Sequence, residues 1–161
     1  MNYNTDNRSL FMSKKILVEM PFTFSDGGRN KAGFKGTTGD CVVRAIAIIA
    51  DKDYLDVYND INEMSKNEKI GKRQSKKSNS RKGVYRKTYD KYLKELGFVW
   101  VPTMFIGSGC KVHLTPDELP KGKLIARLSR HITAVIDGVV YDTFNPSRGG
   151  TRCVYGYYKM N

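Results

Sequence analysis

The chain is short of the residues that cross-link, ligate and catalyse. Its 161 residues include three cysteines, two histidines, one tryptophan and five prolines. Three thiols are an odd number and do not suggest the disulfide framework of a small secreted scaffold. A reducing cytoplasm is the expectation, and it would keep a nucleophilic thiol usable. Acidic residues are also scarce, 16 against 28 Lys and Arg, for a formal charge of +12. No apolar run approaches the roughly 20 residues that a membrane-spanning helix needs. The first, Lys14 to Met20, is short and closed by Glu19 and Pro21, and reads as neither signal peptide nor span. These absences point away from membrane partners and resident cofactors. Oligomeric state stays open.

What is present fits one domain. The apolar fraction is 40%, and ten tyrosines and seven phenylalanines supply aromatic surface for a core or cleft. Residues 1–13 are polar and patternless and read as a flexible arm, leaving 14–161 as a single domain. Ile16 to Met20 reads as a strand, extended past Pro21 by Phe22 and Phe24. Ser25 to Gly28 is a turn, and a Gly-rich loop runs from Lys31 to Gly39. Leu55, Tyr58, Ile61 and Met64 recur at helical spacing and predict a helix over Tyr54 to Met64. Tyr85, Tyr89, Leu93 and Leu96 predict another from Val84 to Leu96, stopped by Gly97. Strands follow at 98–101, 123–128, 132–136, 139–141 and 153–158, with a hairpin turn at Asp137-Gly138. Helices first and a mostly antiparallel sheet after make an α+β domain.

Charge is concentrated between Lys66 and Lys91. Eleven Lys and Arg stand there against Glu68 and Asp90, a local net charge of +9. The stretch 66–83 is almost free of apolar residues and predicts an exposed, mobile basic loop. Lys66, Lys69, Lys72, Arg73, Lys76, Lys77, Arg81, Lys82, Arg86 and Lys87 form the basic patch. Its charge suits phosphate contacts of nucleic acid or an acidic host protein. Solvation alone, or a lid over a substrate, would also account for it. Aromatics are not interleaved before Tyr85, which argues against a base-stacking platform.

The stretch with chemical content is Gly39-Asp40-Cys41, followed at once by Val42 to Ala50. Ala-rich and opened by Gly-Asp, it favours a buried helix over a strand. Asp40 is placed to cap it, and Cys41 then stands where the helix dipole favours a thiolate. A buried cysteine is more often a small hydrophobe than a nucleophile, so the rest of the chain must supply a base. His131 stands just before the strand 132–136. Pairing around Asp137-Gly138 sets Ile136 opposite Val139 and brings Asp142 near Thr133, within reach of the His131 ring. Asn145 is a second candidate for orienting that ring. Cys41, His131 and Asp142 would then serve as nucleophile, base and orienter.

In this order and spacing the chain resembles the papain-like cysteine peptidase superfamily, and in pattern its bacteriocin-processing members. The resemblance covers roughly residues 34–147. From Arg44 to Tyr157 the chain also looks like a group of phage and bacterial proteins. The shared pieces are Gly39 to Ala45, Val101 to Met104, His131 to Gly138 and Tyr141 to Thr143. The resemblance implies a papain-like fold and a thiol protease or amidase acting on peptide, isopeptide or related amide bonds through a thioester. It implies a phage or bacterial protein of the cytoplasm, the host's if phage-encoded, with a peptide or protein substrate. Members carry a glutamine about six residues before the cysteine as an oxyanion donor. Here Lys35 stands there and no glutamine precedes Cys41. Losing one such donor costs about 3 kcal/mol. Asn30, Thr37 and Thr38 are the substitutes nearest in sequence, beside the Cys41 backbone N–H. The alternative is a non-catalytic binding protein that uses the basic region 66–91.

Two further groupings are weaker. Cys110-x-x-His113 has the gap of a metal half-site, but its remaining ligands would have to come from distant strands, and no metal is expected. As a rival nucleophile–base dyad, Cys110 and His113 lack a third group placed to orient the ring. Cys110 reads as packing beside the cleft and Cys153 as strand packing.

Overall fold

The computed structural model describes residues 18–36 and 38–161. The N-terminal arm, Ile16 and Leu17 of the first expected strand, and Thr37 lie outside the described residues. Nine elements follow in order: β1 (Phe22–Phe24), α1 (Cys41–Ile49), α2 (Tyr54–Ser65), α3 (Arg86–Glu95), β2 (Phe98–Pro102), β3 (Lys123–Leu128), β4 (His131–Ile136), β5 (Val139–Asp142) and β6 (Gly156–Met160). The chain is an α+β protein, with three helices and a six-stranded, mostly antiparallel sheet of order β1-β5-β4-β3-β6-β2.

The sheet separates two apolar layers. On one side α1, α2 and α3 bury Val43, Ile46, Val57, Ile61 and Leu93 against Ile125, Ile132, Ala134 and Tyr158. On the other, Leu124, Ala126, Leu128, Val135 and Val140 pack on Met20, Leu114, Leu119 and Val154. Adjacent residues along β3 fall in opposite layers, as the two-residue period of a strand requires. Burial on both faces explains why these strands read as nearly continuous apolar runs.

Helix α1 lies against β4 and buries seven of its nine residues. Helix α2 is capped by Asp53, which accepts from the N–H groups of Leu55 and Asp56. Helix α3 stops at Gly97, whose φ of 92° suits only glycine at low cost. The β4–β5 hairpin turns through Asp137 (φ 48°) and Gly138 (φ 76°), both left-handed as a two-residue primed turn demands. Its register pairs Ile136 with Val139 and Ala134 with Tyr141, so Thr133 comes opposite Asp142.

Several expectations need correction. The strand expected at 16–20 is not one at 18–20. Only the expected extension past Pro21, Phe22–Phe24, forms a strand, and it pairs parallel with β5. The last strand begins at Gly156 and not Cys153, because 153–155 bond instead to the 112 and 127 backbone and to Thr103. The basic segment 66–83 is exposed, yet it is pinned rather than loose. Glu68 accepts from the backbone and hydroxyl of Ser78 and from Gln74. Ser80, fully buried, donates to the Tyr58 carbonyl and takes the Asn62 side chain on its N–H. Polar anchors substitute for the apolar ones that the segment lacks. Finally, Cys110 and Cys153 form a disulfide, which overturns the packing roles read for both. The bridge of His113 to Cys153 brings position 110 within reach, a long-range pairing that no spacing reveals.

Candidate active site

Three elements deliver the site. Helix α1 begins at Cys41, β4 begins at His131, and β5 ends at Asp142. Because β4 and β5 are hairpin neighbours, and α1 packs on β4, the three chain ends meet at one corner of the sheet. His131 Nε2 lies 2.7 Å from Asp142 Oδ2. Its other nitrogen is left for Cys41, and the imidazole is the main influence that lowers the Cys41 thiol. Asp142 is held in turn by Thr133, whose hydroxyl donates over 2.7 Å, and by the Thr143 N–H at 2.7 Å.

The protonation balance follows from these contacts. Burial pushes the Cys41 thiol up, but the His131 hydrogen bond and positive charge outweigh it, with help from the Ile132 N–H and Arg44. The net result is a thiol below its ordinary value. Burial likewise works against a charged His131, yet Asp142 and Cys41 push it up to about 9. Asp142 is raised by burial and pulled further down by His131, Thr133 and Arg44, so it stays ionised. Each group favours the charged form of its neighbour, and the site favours thiolate, imidazolium and carboxylate together.

Behind the three groups lies a buried ionic cluster. Asp40 is wholly buried and does not cap α1: its side chain makes no cap hydrogen bond. It accepts instead from Arg44, from Arg29 at 3.1 Å and from the Tyr54 hydroxyl at 2.6 Å. An aspartate turned inward toward two guanidinium groups is better compensated than one turned to a helix end, because charged donors bind it more strongly. Arg44 spans the gap, with Nη1 on Asp40 and Nη2 3.0 Å from Asp142 Oδ1. Sequence reasoning missed this residue. A lone arginine inside Val42 to Ile49 was the available signal, since a buried charge needs a partner. It also missed Phe144, whose ring lies 5.1 Å from that of His131 and shields one side of it.

The expected supporting residues fare differently. Asn145 does not reach His131: its amide donates to the Met20 carbonyl and accepts from the Ser147 N–H, fixing a turn. Asn30 is exposed, and its N–H is bound to Asp26. Thr38 does line the cleft, but its hydroxyl proton goes to the Arg81 carbonyl. Thr37 is outside the described residues. The first-turn N–H groups of α1 lack intrahelical acceptors, as at any helix start, and Asp40 leaves them uncapped. Of the basic patch, Lys82 borders the cleft, Arg81 stacks on Phe34 and Arg86 on Trp100. The remaining members are exposed. Cys110 is oxidised, which removes the thiolate of the Cys110/His113 pair, and His113 Nδ1 instead meets Glu118 at 3.2 Å.

Cys41 opens into a cleft of about 730 Å³ that also borders Thr38, Lys82, Arg130 and Phe144. No helix among the described residues is long and apolar enough to cross a membrane. Comparison of the chain with protein-family models, with curated proteins and with solved structures finds no match.

Proposed function

We propose that the chain is a thiol hydrolase of papain-like type, in which Cys41 attacks the carbonyl of a peptide, isopeptide or related amide. The observation that supports this reading is the convergence of Cys41, His131 and its hydrogen-bonded partner Asp142 at the edge of an open cleft. The Cys41 thiolate adds to the carbonyl carbon, and the oxyanion forms against the uncapped first turn of α1, where the Cys41 N–H takes over a donor role. His131 gives its proton to the departing amine, the C–N bond breaks, and a thioester remains on Cys41. Water then enters, His131 takes its proton, and the acid leaves as the thiolate is restored. Asp142 holds the ring and stabilises its positive form throughout. The same first half-reaction serves acyl transfer when an amine replaces water.

The test is an activated ester, p-nitrophenyl acetate. A burst of nitrophenolate with an acetyl adduct on Cys41 is expected in the native chain. The adduct is lost in Cys41→Ala. A native chain that shows neither burst nor adduct, with Cys41 reduced, refutes the proposal.

A further inference from the structure

The Cys41 cleft is bordered by four cationic side chains, Arg29, Arg44, Lys82 and Arg130, and by no Asp or Glu among the described residues. The inner charges cancel. Arg29, Arg44 and the imidazolium of His131 stand against Asp40, Asp142 and the Cys41 thiolate, in mutual contact. Lys82 and Arg130 have no such compensation. Both are exposed, and neither has a carboxylate within ion-pair distance among the described residues. The mouth of the cleft therefore carries two surplus positive charges.

Both charges have fixed anchors. Arg130 directly precedes His131, in the two-residue turn that pairs Leu128 with His131, at a φ of 55°. The Lys82 N–H is bound to the Asn79 carbonyl and side chain, and its own carbonyl is packed on Gly39. A second groove of about 420 Å³ shares Lys82, Gly83 and Val84 with the first and adds the exposed Lys76 and Lys77. The cationic track thus continues away from Cys41. Between its charges the cleft presents apolar surface, with Phe24 66% and Phe144 49% exposed. A groove with one sign of charge raises the local concentration of its counter-ion, and apolar walls add area burial.

We infer that the substrate is an acidic polypeptide segment, with Asp or Glu side chains seated on Lys82 and Arg130 and continuing toward Lys76 and Lys77. This rests on the thiol-hydrolase reading of Cys41 and adds the substrate class to it.

Two chloroacetylated peptides of equal length test it, one carrying glutamates and the other glutamines at the same positions. Labelling forms a thioether between Cys41 Sγ and the probe methylene as chloride leaves. The glutamate probe is expected to label Cys41 about tenfold faster at low salt, a difference expected for one or two charge-assisted contacts. The advantage should shrink at about 0.5 M salt, where charges are screened beyond about 4 Å. In Lys82→Ala/Arg130→Ala the ratio of the two rates should fall to within about twofold of one. Equal rates in the native chain, or a preference that survives the double variant, overturns the inference. Anisotropy of a fluorescent acidic peptide on Cys41→Ala reads the same groove without chemistry. Salt-sensitive binding lost in the double variant supports the acidic-peptide groove; with an unreactive Cys41 it refutes the hydrolase reading and leaves only the groove. An oligonucleotide that binds the groove more tightly than the peptide overturns it.

Discussion

Replacing His131 by Gln removes the imidazolium while keeping a side chain of similar length. In the native protein the Cys41 thiol sits below its ordinary value because His131 outweighs the effect of burial. Without that partner, burial is opposed only by the Ile132 N–H and Arg44, and the thiol rises back toward or past the ordinary 9.0. At about pH 6.5 such a group is below about 1% thiolate. A lower-pKa thiolate is also a weaker nucleophile, with a Brønsted slope of about 0.4–0.5, which halves the gain on a logarithmic scale. Iodoacetamide labelling of Cys41 at about pH 6.5 should therefore slow by roughly tenfold to a hundredfold in His131→Gln. The gap should narrow as pH rises past about 9, where native His131 gives up its proton and the variant thiol ionises unaided. Peptide mass spectrometry reads the rate at Cys41 alone, since Cys110 and Cys153 are joined. A thermal melt checks that the variant is folded. Labelling within twofold of native at about pH 6.5, or a gap that persists at about pH 10, would refute the coupling.

Five other outcomes follow from the structure. His131 is pushed from 6.5 to about 9 on folding, so its contribution is complete below about pH 6.5 and lost as pH rises through about 9. Cys41, held below 9.0, contributes the opposite slope over the upper part of that window, so melting temperature should decline over its lower part, and the decline should flatten in His131→Gln. Asp142 is held below 3.8, so its contribution is complete above that value and lost as pH falls further, which acid titration of the melt should show. Arg44→Met leaves Asp40 and Asp142 buried with one cation fewer, and should cost about 3–5 kcal/mol in chemical denaturation. In Gly39→Ala the new Cβ would lie 2.5 Å from the Lys82 carbonyl, forcing the cleft wall outward at a cost of about 1–3 kcal/mol and altering Cys41 labelling. Reducing Cys110–Cys153, which are 43 positions apart, should lower stability by up to about 4 kcal/mol as read by melting with and without dithiothreitol.

Some of this architecture was readable from local pattern alone. Apolar spacing locates α2 and α3, although α2 buries Tyr54, Val57 and Ile61 and leaves Leu55 of the expected series exposed, and Gly97 is marked by its place after Leu96. The Asp137-Gly138 turn is short enough to set register without help from the rest of the chain, and register alone brings Asp142 opposite Thr133. The meeting of Cys41 with His131 needed more, namely a helix packed on the strand that carries the histidine. The residues hardest to place were those whose partners lie far away. Asp40 has the look of a helix cap, yet it is drawn inward by Arg29, Arg44 and Tyr54. Asn145, a second candidate for orienting His131, holds the Met20 carbonyl instead.

Short-range physics therefore determined the helices, the hairpin and the pairing of Thr133 with Asp142, because each depends on torsions and periodicity within a few residues. Tertiary structure decided the rest. It joined Cys110 to Cys153, pinned the basic segment through Glu68 and Ser80, set β6 between β3 and β2, and closed the ring of charges around Arg44. Those choices compare one buried partner with another across the whole chain. A charge taken out of water goes wherever the compact fold supplies its counter-charge, and no local window contains that information.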